Sequence, residues 1–311
     1  MRIVFLGSAD FGIPALAMLL KRHEVAAVVT TPKRSAGRGL RLNKSPIGEF
    51  AEKEGIAAVF TPESLSDPQF LADIGSVQAD CFVVVAFRLL PRVLFSLPQY
   101  GTLNIHASLL PAYRGPAPIQ RAIEAGATKT GVTIFRIDEG IDTGEILRQV
   151  ETAISPEETT PELYQRLSLL GVDALESVLL DLAQGRCFPI VQRHELAGKA
   201  PKLKKNEGLI DWNLSAAVIY NKIRAFKPFP GTYTFVNGIR LGIDWARPET
   251  CDRKAAAAAG TVIKAFGNSF EIQTGSGILH VLAVRPEGRR SMATGDYLRG
   301  TSIKEGSRLN E

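Results

Sequence analysis

The chain begins as an alternation of apolar runs and helix-length segments: RIVFLGS, GIPALAMLLKR, EVAAVVTT, SPIGEFAEKEG, AAVFTP and ADCFVVVAF. Runs as continuous as residues 82–87 suit strands buried on both faces, the mark of a mostly parallel sheet flanked by helices. Residues 102–107, TLNIHA, read as a further strand. PIQRAIEAG reads as a helix with Pro118 in its first turn and Gly126 just past its end. GVTIFRIDEGIDTGEIL is an alternating strand followed by a glycine-punctuated turn, and residues 160–185 form a long helix. This is a Rossmann-like layout, in which ligands bind beyond the C-terminal ends of the strands. The first turn, GSADFG, has Gly7 and Gly12 but lacks the G-x-G-x-x-G spacing, so no dinucleotide is predicted.

The pattern then changes. Residues 197–208, AGKAPKLKKNEG, have the lysine- and glycine-rich composition of a linker. LSAAVIYNKIRAF predicts one more helix. Beyond Pro230 come short β-like runs, GTYTFV, IRLGIDWA, GTVIKAF, SFEIQTG and GILHVLAV, which argue for a small antiparallel barrel. AAAAAG, 255–260, reads as a surface connection. The expected organisation is a catalytic domain over 1–196, a linker over 197–208 and a barrel domain over 209–311.

Composition adds bounds. At 311 residues and 45% hydrophobic, the chain has length for two cores. Cys81, Cys187 and Cys251 are widely spaced and odd in number, which fits neither a disulfide framework nor a zinc pattern; no metal is predicted, and a reducing, cytoplasmic setting is. The apolar N-terminus is interrupted by Asp10 and Pro14 and reads as strand and helix rather than leader. No segment approaches the roughly 20 apolar residues that span a bilayer. The net charge of +5 is unevenly placed: residues 201–311 hold 17 Lys and Arg against 10 Asp and Glu, residues 1–200 hold 20 against 22. A basic domain beside a near-neutral one suits a polyanionic partner, although a solubilising surface would look the same.

Candidate chemistry gathers around LNIHASLLPAYRGPAPIQRAI. Two apart on a strand, Asn104 and His106 project to the same side. Pro111, Pro116 and Pro118 then hold an ordered loop at the strand's end, where a cleft belongs. Asp138, Glu139 and Asp142 follow the next strand, and a carboxylate there can approach His106. The trio suits acyl transfer to an amine. An asparagine amide donates to an oxyanion, an imidazole takes the amine's proton or adds positive charge, and a carboxylate fixes the imidazole's tautomer. Taken singly, each has a plainer reading: His106 as a structural hydrogen-bonding residue, Asn104 as a turn or cap, Asp142 as an Asx turn.

Together, NIHASLLPAYRGPAPIQRAI and GVTIFRIDEGIDTGEIL resemble the signature of the methionyl-tRNA formyltransferases, within the wider family of enzymes that use 10-formyltetrahydrofolate. SAGRGLRLNKSPI, IDWNLSAAVIYNKIRAFKPFPG and TGSGILHVLAVRPEGRRSM extend the likeness over nearly the whole chain. The resemblance implies a Rossmann-like formyltransferase domain with an OB-like C-terminal domain, and formyl transfer from 10-formyltetrahydrofolate, as co-substrate, to methionyl initiator tRNA. It places the catalytic residues at Asn104, His106 and Asp142 and the folate contacts at Ser108, Leu109, Leu110 and Pro111. The loop TPKRSAGRGLRLNKS, with Lys33, Arg34, Arg38, Arg41 and Lys44 and no acid, then suits the acceptor stem, with Arg38 its main contact. Lys202, Lys204 and Lys205, with Arg285, Arg289 and Arg290, become further tRNA contacts through phosphates. A monomer suffices and is expected.

Two departures stand out. Arg88 occupies a position where the family commonly has glycine, so it either points to solvent or reaches the folate's anionic tail. GSADFG replaces the family's common Gly-Thr-Pro turn. Three rivals remain at this point: a formyltransferase acting on an amino sugar nucleotide, a hydrolase releasing formate from the same donor, and a non-catalytic RNA-binding protein with a degenerate Rossmann domain.

Overall fold

The computed structural model describes residues 1–36, 41–249 and 257–310, with side chains except at 34–36, 41 and 42. They cluster into two compact units. The first comprises Met1–Pro118, Lys129–Ala153 and Tyr164–Ala200; the second comprises Ile119–Thr128, Ile154–Leu163 and Pro201–Glu311.

In chain order the elements are β1 (Arg2–Gly7), α1 (Ile13–Arg22), β2 (Glu24–Val29), β3 (Arg34–Ala36), β4 (Arg41–Asn43), α2 (Pro46–Lys53), β5 (Val59–Phe60), α3 (Pro68–Ser76), β6 (Cys81–Val85), α4 (Arg92–Phe95), β7 (Thr102–His106), α5 (Pro118–Glu124), β8 (Lys129–Arg136), β9 (Ile146–Ala153) and α6 (Thr160–Ala183). The large sheet has the order β5-β2-β1-β6-β7-β8-β9. Its first five strands pair in parallel, and β8 and β9 add an antiparallel edge. Every residue of β6 is buried, as strands covered on both faces require. Local signals set the helix starts: Ser45 Oγ accepts from Gly48 N, Asp67 Oδ1 accepts from Gln69 N and Phe70 N, and Pro46 and Pro68 sit in the first turns. The strand order reverses direction about β1, so the crevice beyond the C-terminal ends of β1, β6 and β7 is where such a sheet offers a ligand site.

The second unit, which takes in α5 from Ile119 and the first turn of α6, also contains α7 (Ala216–Ala225), β10 (Thr232–Val236), β11 (Ile239–Glu249), β12 (Val262–Phe266), β13 (Ser269–Gln273), β14 (Ile278–Pro286), β15 (Met292–Ala293) and α8 (Thr294–Gly300). The antiparallel order is β10-β11-β14-β13-β12, with β15 on β14. Its inward residues, among them Leu241, Ile243, Val262, Phe270, Ile272, Leu279, Val281 and Val284, form one core with Trp212. Residues 306–310 join the two edges. Gly306 N donates to Val262 O (2.8 Å) and Leu309 N to Gly260 O (2.9 Å), while Asn310 N donates to Phe235 O (2.9 Å). The Asn310 side chain continues the seam, accepting from Thr234 Oγ1 and Phe235 N and donating to Ile210 O. This is the small antiparallel barrel that the short runs predict. Trp212 lies inside, its Nε1 donating to Thr234 Oγ1 (3.1 Å), and Lys227 Nζ lies 4.1 Å from the Trp245 ring centre.

Candidate active site

Strand β7 ends at His106 and pairs with β8 so that Asn104 faces Phe135 and His106 faces Thr133. Asn104 and His106 share one face, as their spacing predicts, and His106 packs edge-on against the buried Phe135 ring at 6.4 Å. The Asn104 amide is half-buried and makes no hydrogen bond to a described residue. The His106 ring is nearly enclosed; its Nε2 lies 3.0 Å from Tyr113 O and its Nδ1 lies 3.6 Å from Asp142 Oδ2. His106 and Asp142 therefore converge, with the carboxylate just beyond direct hydrogen-bond range of the imidazole, and Asn104 stands two residues before His106 on the same strand.

Asp142 is held from both sides. Its Oδ2 accepts from Gly115 N (2.7 Å), and its backbone is left-handed, with φ of 55°. That conformation costs a non-glycine residue on the order of 1–3 kcal/mol and persists only where neighbours impose it. Two glycines make the imposition possible. At Gly115, with φ of 121°, a Cβ would lie 2.7 Å from Ala200 O; at Gly144 a Cβ would lie 1.7 Å from Arg136 O. Asp138, a second acid of this turn, instead accepts from Gly140 N and Thr143 Oγ1 and shapes the loop.

The turn after His106 is anchored by one buried hydroxyl. Thr133 Oγ1 donates to Ser108 O (2.6 Å) and accepts from Leu110 N (3.1 Å) and Gln149 Nε2 (2.9 Å). Ser108 is fully buried, its hydroxyl donating to Ala112 O, and Leu110 packs with Phe135 and Ile146, so both side chains face into the unit. Leu109 and Pro111 are partly exposed, leaving them and the backbone as the surfaces this turn offers a ligand. Arg92, at the start of α4, pairs with Glu139 (2.9 Å) on the loop after β8.

Arg88 is bonded within its own unit. Its guanidinium donates to the carbonyls of Pro62 (2.8 Å) and Glu63 (2.9 Å) and lies over the Phe87 ring, so it ties down the preceding loop. Of the basic candidates, Lys33, Lys202, Lys204, Lys205, Arg289 and Arg290 are exposed. Lys44 is paired with Glu52, and Arg285 makes two bonds to Asp244 (2.9 and 3.0 Å). Arg38, and the side chains of Arg34 and Arg41, lie outside the described residues. Sequence reasoning missed Gln192, which is buried. Its Nε2 donates to Asp142 O (3.0 Å) and Gly144 O (2.7 Å), while its Oε1 accepts from Arg114 Nε (3.2 Å) and Nη2 (2.6 Å). No local pattern marks it, because these contacts span 50 and 78 residues. Among the described residues no cluster of His, Cys, Asp and Glu is arranged to hold a metal, and no helix is long and apolar enough to cross a membrane.

A family model described as formyl transferase matches residues 1–179, and one described as the formyl transferase C-terminal domain matches residues 202–302. The chain is 40% identical over 305 residues to a methionyl-tRNA formyltransferase of Hydrogenovibrio crunogenus, with 97% of each chain covered. Among solved structures it is similar to HypX from Aquifex aeolicus in complex with tetrahydrofolic acid, at a TM-score of 0.65 and 19% identity. The match covers 98% of this chain and 48% of HypX, so the chain spans about half the length of that protein. It is also similar to a methionyl-tRNA formyltransferase from Clostridium thermocellum, at a TM-score of 0.56 and 19% identity over 82% of this chain and 95% of that one. At such identities these two structures speak to the fold alone.

Proposed function

The chain belongs to the methionyl-tRNA formyltransferase family, and on that premise we propose that it transfers a formyl group from 10-formyltetrahydrofolate to the α-amino group of methionine on initiator tRNA, with Asn104, His106 and Asp142 as its working groups. When bound, the donor supplies an electrophilic formyl carbon, whose bond to the folate nitrogen is exchanged for one to the methionine nitrogen. The observation that carries the reading is an uncommitted donor beside a committed imidazole. Asn104 keeps its amide hydrogens for the formyl oxygen, where negative charge develops; loss of one such donor commonly costs about 10²–10³ in kcat. Tyr113 O can only accept, so His106 Nε2 carries a hydrogen and Nδ1 is the nitrogen left to take and return a proton. Asp142 faces that nitrogen at 3.6 Å and helps to orient the ring.

The acceptor makes modest demands. An α-amino group titrates at about 8, and esterification of its carboxyl lowers that value, so neutral amine is plentiful near neutral pH. Positioning and charge stabilisation supply most of the acceleration. Leu109, Pro111 and the backbone of their turn hold the folate ring system. Lys33, Lys202, Lys204, Lys205, Arg289 and Arg290 meet tRNA phosphates. A single copy of the chain carries every group the reaction needs.

The test is transfer of labelled formyl from 10-formyltetrahydrofolate to methionyl initiator tRNA by wild type, Asn104→Ala, His106→Ala and Asp142→Asn. Robust wild-type transfer with kcat reduced at least about 10²-fold in the first two variants is the expected result. Folded wild-type protein that transfers nothing to tRNA would overturn the substrate assignment; variants with wild-type kcat would overturn the residue assignment.

A further inference from the structure

We infer that Gln192 is a positioning residue for formyl transfer: it sets the backbone of Asp142, and through it the distance between the Asp142 carboxylate and His106. The inference rests on the catalytic reading of Asp142 given above. Gln192 is 3% exposed, and both its amide hydrogens and its carbonyl oxygen are engaged. Both hydrogens go to the loop that carries Asp142, one to Asp142 O and one to Gly144 O, bracketing the left-handed residue. Arg114 fixes which end of the amide faces that loop, because a guanidinium can only donate and so selects the oxygen. The orientation of Gln192 is thereby dictated, and the carbonyls of residues 142 and 144 are drawn to its nitrogen.

The segment bearing Gln192 is itself a strap across both catalytic loops. Ile190 exchanges a pair of backbone bonds with Ile146 (2.8 Å each). Further along, Gly198 N donates to Pro111 O (3.1 Å), Arg114 N to Gly198 O (2.8 Å) and Ala200 N to Arg114 O (2.6 Å). One side of the strap therefore holds the loop whose Tyr113 O receives His106 and whose Gly115 N meets the Asp142 carboxylate. The other side, through Gln192, holds the Asp142 backbone. A shift of about 1 Å in such an arrangement can cost on the order of 10²-fold in rate without loss of binding.

The experiment uses the full chain with Gln192→Glu, which keeps the length and the bond to Arg114 but turns two donors into acceptors facing two carbonyls. Steady-state formyl transfer is measured for wild type, Gln192→Glu, Asp142→Asn and the double variant. The expected result is a roughly 10- to 100-fold fall in kcat for Gln192→Glu with KM for tRNA and folate each within about threefold. In the Asp142→Asn background the same change should cost less than about threefold, since a residue acting through Asp142 has nothing left to position. Unchanged kcat, or an equal loss in both backgrounds, overturns the proposal. Asp142→Asn with wild-type kcat is a separate result: it overturns the catalytic reading of Asp142 and this inference with it. If Gln192→Glu does not fold, Gln192→Met, which removes the donors without adding charge, decides by the same comparison.

Discussion

Replacing Thr133 by valine keeps the shape of a fully buried β8 residue and deletes one oxygen. That oxygen makes three hydrogen bonds, to Ser108 O, from Leu110 N and from Gln149 Nε2. Gln149 retains a second partner in Leu110 O at 2.8 Å. Ser108 O and Leu110 N lose their Thr133 partner, and leaving a buried polar group unsatisfied costs about 1–3 kcal/mol each, roughly 2–6 kcal/mol together. Thr133→Ser keeps every bond and loses one methyl, a change worth about 0.5–1.5 kcal/mol. At about 2–4 °C per kcal/mol for a unit of this size, a loss of about 4 kcal/mol lowers the melting temperature by roughly 8–16 °C. Urea unfolding followed by far-UV circular dichroism separates the two variants. Because the same turn is proposed to hold the folate, Thr133→Val should also raise KM for the donor more than Thr133→Ser does. A valine variant that matches the serine variant in both stability and donor KM would refute the reasoning.

Burial pushes the Cys81 thiol up to about 12, from an ordinary value of 9.0. The folded thiol thus stays protonated while the unfolded one ionises, so its contribution is intact below about pH 9 and is lost as pH climbs from 9 towards 12. Iodoacetamide at about pH 8.5 should leave Cys81 unmodified in the folded protein and alkylate it in urea, as peptide mass spectrometry would report; Cys81→Ser should lose less stability than wild type over the alkaline range. Raising salt should increase KM for tRNA steeply and KM for folate little, and Lys204→Ala should reduce the tRNA salt slope by about one; parallel responses of the two substrates would contradict the assignment of these cations to phosphates. Gly115→Ala, which sets a methyl against Ala200 O and strains a left-handed backbone, should lower kcat at least about 10-fold while tRNA binding, measured by filter retention, is kept.

Much of this arrangement was legible in the sequence because it is written locally. The two-residue spacing of Asn104 and His106, the proline-fixed start of α5 and the positive φ at Gly126 each follow from a few neighbouring residues. The apolar run of β6 and the alternating runs of the barrel were equally direct. What escaped were partnerships made by the fold. The bond between Gln192 and Asp142 and the loop-tying bonds of Arg88 depend on residues far apart in the chain, and no composition or period encodes them. The same limit applies to charge. Lys44 and Arg285 count as free cations in a sequence, yet in the fold each has a carboxylate partner, so their pull on a phosphate is smaller than a tally of basic residues implies. The closure of the barrel by residues 306–310 is another long-range pairing, carried by a segment too short to read as a strand.

The chain has two tryptophans, and both belong to the barrel unit: Trp212 inside it, bonded to Thr234, and Trp245 beneath Lys227. Indole emission is therefore a natural optical label for one half of the protein, while the unit that holds Asn104, His106 and Asp142 is dark at the same wavelengths. Unfolding watched by emission and by circular dichroism need not coincide, and the difference between the two curves isolates the dark unit.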